Sequence, residues 1–182
     1  MNEVNEQCLD AFPKWLASLA EDANGLASLL SAESIPEAAR RYVAGSINYL
    51  YKSLDLIPDG IEDLGFLDDA FVLRVAARLA LKEAPEAKEA DIRGMLTRFA
   101  AEAELIEKLL EGDYARLETY VRNLKKSAAR GRTVDEIVTD PTVRAEFVHE
   151  VGAWAKSYAT PSFTRDERTI IKLKSFLGSK LP

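Results

Sequence analysis

The chain has 182 residues, 47% hydrophobic and 30% charged, with a net charge of −6 and one cysteine. That balance excludes a disordered chain and a disulfide-stapled scaffold, and the length suffices to bury a core. Residues 1–90 carry 16 acids against 8 bases while residues 91–182 carry 14 against 16, which excludes bulk nucleic-acid binding through the acidic half.

Met1–Phe12 lacks a basic region followed by an apolar run, so no secretory signal is read there. No stretch of about 18 residues is both apolar and free of charge, so no spanning helix is expected. With Cys8 alone, a reducing, cytoplasmic setting follows as the expectation.

Nearly every segment repeats its apolar residues at helical spacing, and β-branched alternation is almost absent. Asp10 is expected to cap a first helix, with Pro13 in its first turn, Leu16 and Leu19 on one face and Trp15 as a core anchor. Asn24-Gly25 reads as a break, followed by a short apolar turn at Leu26–Leu30. Ser34, Pro36 and Glu37 form the next start signal, a capping box with an early proline. Val43, Ile47, Leu50 and Leu54 then recur, joined by Tyr42 and Tyr49, and Pro58 places the end of this helix near Ser53–Leu56.

Pro58-Asp59-Gly60 is a turn, Ile61–Leu64 one helical turn, and Gly65 its terminator. A very apolar helix is predicted from about Phe66 to Lys82, with Arg74, Arg78 and Lys82 as its polar stripe. Ala84-Pro85-Glu86 breaks the chain again and marks the boundary between an N-terminal region, residues 1–84, and a C-terminal region, residues 85–182. Ala90–Leu110 is amphipathic, and Tyr114 to about Ala129 continues as its antiparallel partner beyond Gly112-Asp113. Thr133 and Glu136 make a capping box, Asp140-Pro141 opens a longer helix, and Thr164 with Glu167 caps the last. The expected fold is all-α, a compact bundle of seven or eight helices around the bent hairpin Pro36–Lys82.

Six acids lie between Asp55 and Asp69: Asp55, Asp59, Glu62, Asp63, Asp68 and Asp69. Hard cations favour such oxygens, but the spacing is not that of an EF-hand loop. Local roles compete, because Asp59 suits a turn while Asp68 and Asp69 fall in a first helical turn, where they complement the dipole. Internal pairing is a third option, with Arg74 or Arg78 reaching back to Asp55 or Asp59.

The run Ser53-Leu-Asp55-Leu-Ile-Pro58-Asp59, followed by Gly65-Phe-Leu-Asp68-Asp69, resembles the motif of the YkvA-like domain of unknown function. The resemblance covers residues 39–81 and departs at Leu54, where that family usually has proline. It implies a helical module of bacterial origin and no activity. Some relatives look membrane-associated through this segment.

Other chemistry is thinly supplied. Glu146 and His149 read as a Glu-x-x-His pair, but His149 is the only histidine, so neither a second pair nor a histidine-based triad exists within this chain. Cys8 is placed near a frayed terminus with no activating base. Gly45, Gly60, Gly65 and Gly94 are too scattered for a phosphate loop. Arg122, Lys125, Lys126, Arg130 and Arg132 form a run without acids, read as a solvated helix end before a phosphate or lipid contact.

The favoured expectation is a non-catalytic protein without cofactor that binds a protein partner or its own copy, presenting the acidic bend or the apolar helix after it. The alternative is a divalent-cation-dependent hydrolase or ligand-binding module using Asp55, Asp59 and Asp68 or Asp69, with Pro58 and Gly65 shaping the bend. Peripheral membrane contact is a third reading. No nucleic-acid partner is expected.

Overall fold

The computed structural model describes residues 1–53, 55–87 and 89–182. Among them the chain forms eight α-helices and one two-stranded ribbon. The fold is the all-α bundle that the helical periodicity predicts.

Helix α1, Glu3–Ser28, starts earlier than expected because Asn2, not Asp10, is its cap, accepting the Asn5 N–H at 2.8 Å. Asp10 is exposed in mid-helix and pairs with Arg165. Pro13 therefore lies inside the helix, where it removes one backbone bond. The buried face of Phe12, Trp15, Leu16 and Leu19 holds the helix together across it. Asn24-Gly25 is not a break either. A Cβ at Gly25 would stand 3.0 Å from the Met95 sulfur, so the glycine serves close packing rather than termination. Cys8 is fully buried in α1, not frayed, and burial pushes its thiol up to about 12.

Helix α2, Glu37–Tyr49, has Pro36 at its cap position and no side-chain cap. Ser34 instead donates to Glu89 across the fold at 2.8 Å. The helix ends at Tyr49, earlier than expected, because the Tyr49 hydroxyl ties down the chain seven residues later. Leu54, which the periodicity places on this helix, lies outside the described residues.

Helix α3, Leu67–Glu83, is central. Leu67, Phe71, Val72, Leu73, Val75, Ala76 and Ala77 have no exposed surface. It packs chiefly between α2 and α4, Ala90–Leu110, and also touches α1 and α5, Gly112–Asn123. α4 has the expected limits, but α5 stops short of Ala129. The chain leaves it through a 3-10 turn, Leu124–Lys126, and a ribbon pairing β1, Ala128–Ala129, with β2, Arg132–Thr133. Arg130 and Gly131 turn the ribbon, both at positive φ.

Helix α6, Val134–Thr139, carries the expected capping box of Thr133 and Glu136. Helix α7, Pro141–Ser157, opens with Asp140 accepting the Thr142 N–H and Pro141 in the first turn, as read. Helix α8, Glu167–Lys180, is capped by Asp166, not by Thr164, whose hydroxyl donates to Asp63 at 2.8 Å. One hydrophobic core runs from Cys8 to Leu181.

The predicted polar stripe on α3 is corrected by Arg74, which is 0% exposed. Its guanidinium reaches Asp22 of α1 at 3.1 Å and Glu102 of α4 at 2.7 Å, and donates to the Ala70 carbonyl at 3.1 Å. It stacks 4.3 Å from the Trp15 ring centre and 5.3 Å from that of Phe99. Arg98 adds a second cation, 3.0 Å from Asp22 and 3.2 Å from Glu102. Arg78 binds Glu107 at 2.7 Å and the Tyr114 hydroxyl at 3.1 Å. The expected pairing of Arg74 or Arg78 with Asp55 or Asp59 does not form, because both guanidinium groups are held elsewhere. Arg74→Ala leaves Asp22 buried without its deepest partner, so urea unfolding should show a loss of about 3–5 kcal/mol.

Candidate functional site

The chain between α2 and α3 turns through local backbone bonds. The Ile61 N–H donates to the Pro58 carbonyl at 3.0 Å, which makes Pro58–Ile61 a tight turn. Ile61–Leu64 stays a run of turns rather than the expected helical turn, with the Gly65 N–H closing onto the Ile61 carbonyl at 2.9 Å. Gly65 is required for a different reason than termination. A Cβ there would lie 2.2 Å from the Asp59 carbonyl oxygen. The left-handed conformations fall instead on Asp63, at φ 65°, and Phe66, at φ 66°.

This turn lays Leu56 and Ile57 over the start of α3. Asp68 is 0% exposed and Asp69 3%. One Asp68 oxygen, Oδ2, accepts the Tyr49 hydroxyl at 2.5 Å and the Ile57 N–H at 3.1 Å. The same Tyr49 oxygen accepts the Leu56 N–H at 2.7 Å. Asp68 therefore does more than complement the dipole of α3: it clamps the corner to the end of α2.

The remaining oxygens are left over. Asp68 Oδ1, Asp69 Oδ2 and Asp55 Oδ1 are buried without a hydrogen-bond partner among the described residues. Burial, followed by the neighbouring carboxylate charges, raises Asp55 to about 7. Burial raises Asp68 to about 6 against the opposing bonds from Tyr49 and Ile57. Asp69 rises well above the usual carboxylate range, through burial and then the charges of Asp68, Asp59 and Asp55. The effect reaches Tyr120, whose hydroxyl is pushed up to about 12 by burial and by Asp68, Asp55 and Asp69. Its ring stands edge-on to Tyr49, 6.1 Å away.

Of the residues singled out in the sequence, Asp55, Asp59, Asp68 and Asp69 gather at this corner, and Pro58 and Gly65 shape it. Glu62 and Asp63 do not join them. Glu62 is exposed and its carbonyl accepts Lys172, while Asp63 accepts Thr164. The sequence reading missed Tyr49, whose buried aromatic position carries a polar tip that needs a partner. It also missed Asp22 and Glu102; the signal was a single Arg74 inside an otherwise apolar run.

The expected apolar interaction patch at Phe66–Leu73 is closed except at Phe66, which is partly exposed and packs on Tyr158. Leu67, Phe71, Val72 and Leu73 are fully buried, so α3 presents no greasy face to a partner or to a bilayer. Among the described residues no helix is long and apolar enough to cross a membrane. Much of the basic run is engaged internally: Arg122 with Glu118, Arg132 with Glu150, and Arg130 over the Tyr51 ring. Glu146 and His149 are both exposed on α7.

A surface groove lies elsewhere, between α1 and α4. It has a volume of about 680 Å³ and a floor that includes Ala11, Trp15, Ala101 and Leu105, with Lys14 and Arg98 beside them. None of the corner carboxylates lines it. No family model, curated protein or solved structure matches this chain.

The raised carboxylates set the sign of a pH effect. In the window from about pH 4 to about pH 7 the native state binds more protons than the unfolded chain, so stability is highest at the acid end and falls as pH rises. Urea unfolding in chelator-containing buffer should show this slope, and Asp69→Asn should flatten it. Gly65→Ala, tested the same way, should lose about 1–3 kcal/mol by overpacking against Asp59. Gly60→Ala, whose Cβ meets nothing within 4 Å, should stay within about 0.5 kcal/mol of the parent.

Proposed function

We propose that the chain is a non-catalytic helical binding module and that the groove between α1 and α4 receives an amphipathic helix of a protein partner. One observation carries this reading. Catalysis needs perturbed acids or bases that face a cavity admitting substrate. Here the perturbed carboxylates do not line the groove between α1 and α4. The groove offers apolar Trp15, Leu105, Ala11 and Ala101 flanked by charges of both signs, which suits the apolar stripe and polar edges of a helix.

The resemblance of residues 39–81 to the YkvA-like domain supports the same reading, since that family implies a bacterial helical module without an assigned activity. Its motif residues Asp55, Pro58, Asp59, Gly65, Asp68 and Asp69 form the corner that orients α2 and α3. A cytoplasmic setting fits the single, buried Cys8.

Ala101 is exposed on α4, so Ala101→Arg fills the groove without opening the core. The variant should keep the parent melting temperature. It should lose a specific partner that both the parent and Asp69→Asn retain in quantitative affinity capture. Self-association through the same groove would appear as a dimer in sedimentation velocity that Ala101→Arg abolishes. A partner that binds all three proteins equally, or ester or phosphate hydrolysis that Asp55→Asn abolishes, would overturn the reading.

A further inference from the structure

The groove between α1 and α4 extends beyond its deep part. A second hollow of about 440 Å³, which includes Gly25 and Met95, continues the one over Trp15 and Leu105. Ser18 and Arg98 line both, so the two form one furrow with a waist. Arg98 makes the waist: it leaves α4 to meet Asp22 of α1 at 3.0 Å and Glu102 of its own helix at 3.2 Å.

The furrow follows both helices lengthwise. Gly25 stands against Met95 and Asp22 against Arg98, while Ala11 shares its hollow with Leu105, so α1 and α4 run antiparallel along it. From α1 it takes Gln7, Ala11, Lys14, Ser18, Glu21 and Gly25. Those positions step by four and three in turn, the spacing of a coiled-coil seam. From α4 it takes Met95, Arg98, Glu102 and Leu105, which step by three and four. The span from Gln7 to Gly25 is about five turns, or about 27 Å. A furrow crossing α1 steeply would meet only a turn or two of it.

Two free charges stand on this seam. Lys14 and Glu21 are exposed and lie one seven-residue step apart, about 10 Å along α1. The ion pairs beside them, of Asp22 with Arg74 and Arg98 and of Arg98 with Glu102, involve neither. A charge at a seam position fixes register, because it favours an opposite charge at its own level and rejects a like one.

We propose that the furrow seats one helix of a coiled-coil-type protein partner, laid lengthwise beside α1 and α4, with an acid facing Lys14 and a base facing Glu21. This deepens, and rests on, the reading of the groove as a helix site. The partner helix repeats its apolar residues every seven positions and carries the acid and the base one repeat apart. Its first apolar side chains enter the hollow over Trp15 and Leu105. Another, about three turns further on, reaches Met95, whose flexible thioether adapts to it. A small or polar residue passes the waist, where Arg98 is already held by Asp22 and Glu102.

The probe is a phage-displayed library of helices about four heptads long, randomised at the seam positions and selected against the full chain. Enriched helices should carry an acid and a base one heptad apart. In fluorescence anisotropy they should bind the parent but not Ala101→Arg. Lys14→Glu combined with Glu21→Lys changes only exposed side chains and should keep the melting temperature. It should weaken the enriched helices about tenfold or more and strengthen their charge-swapped versions by as much. Removing the half of the helix that faces Met95 should also weaken binding about tenfold or more. Helices that Ala101→Arg rejects but that ignore the charge reversal or the shortening would overturn this inference and leave the groove reading standing. A library that yields no helix sensitive to Ala101→Arg would overturn both. A parent dimer that Ala101→Arg abolishes would seat a second copy in the furrow and overturn the assignment to a separate partner.

Discussion

A guanidinium with no exposed surface cannot be left to itself. Arg74 sits in the middle of the central helix, and removing its charge from water costs several kcal/mol unless other charges meet it. Two helices meet it. α1 brings Asp22 and α4 brings Glu102, while Trp15 from α1 and Phe99 from α4 cover the ring faces. The arrangement fixes which turn of α1 and which turn of α4 stand level with which turn of α3. A purely apolar contact would tolerate sliding between these helices; a buried ion pair with defined bonds does not. Its value is therefore in specifying one packing more than in adding net stability. The surface groove inherits this register, since Trp15 and Glu102 line it and Arg98 closes over Asp22 at its edge.

What could be read from the sequence divides by the reach of each signal. α4 appeared with its correct limits because its apolar stripe is long and regular. The starts of α6 and α7 were legible because Thr133 with Glu136, and Asp140 with Pro141, complete their bonds within three residues. The same residue types misled where their partners are distant. Ser34 looks like a cap but donates to Glu89, and Thr164 looks like a cap but donates to Asp63. Gly25 looks like a terminator but makes room for Met95. Arg74, Arg78 and Lys82, spaced by four, look like a solvent-facing stripe, and the first of them has no exposed surface. Local chemistry cannot reveal these roles, because tertiary contacts decide them.

The corner shows the same division within one site. Its backbone was largely visible: a proline turn, a glycine that must stay small and a helix opening with two acids. The energetic state of those acids was not. It depends on Tyr49, six residues before Asp55, whose hydroxyl links a backbone N–H to a carboxylate that lies nineteen residues further along the chain. A tyrosine at an apolar helical position gives no hint of that span beyond the need of its hydroxyl for a partner.

α3 thus carries a buried guanidinium at its middle and a pair of buried carboxyl groups at its start, and the two do not pair. Asp69 and Arg74 are five residues apart, off the three- and four-residue spacing that brings side chains together on a helix. The guanidinium of Arg74 is held by Asp22 of α1 and Glu102 of α4 and does not reach the corner carboxylates. Tyr49 offers Asp68 a neutral hydrogen bond, which satisfies one oxygen without offsetting the charge. The guanidinium is met by the protein's own acids, Asp22 and Glu102. The carboxyl pair lies at the bend instead, beside the exposed Asp59, and burial answers it by raising both groups toward their protonated forms.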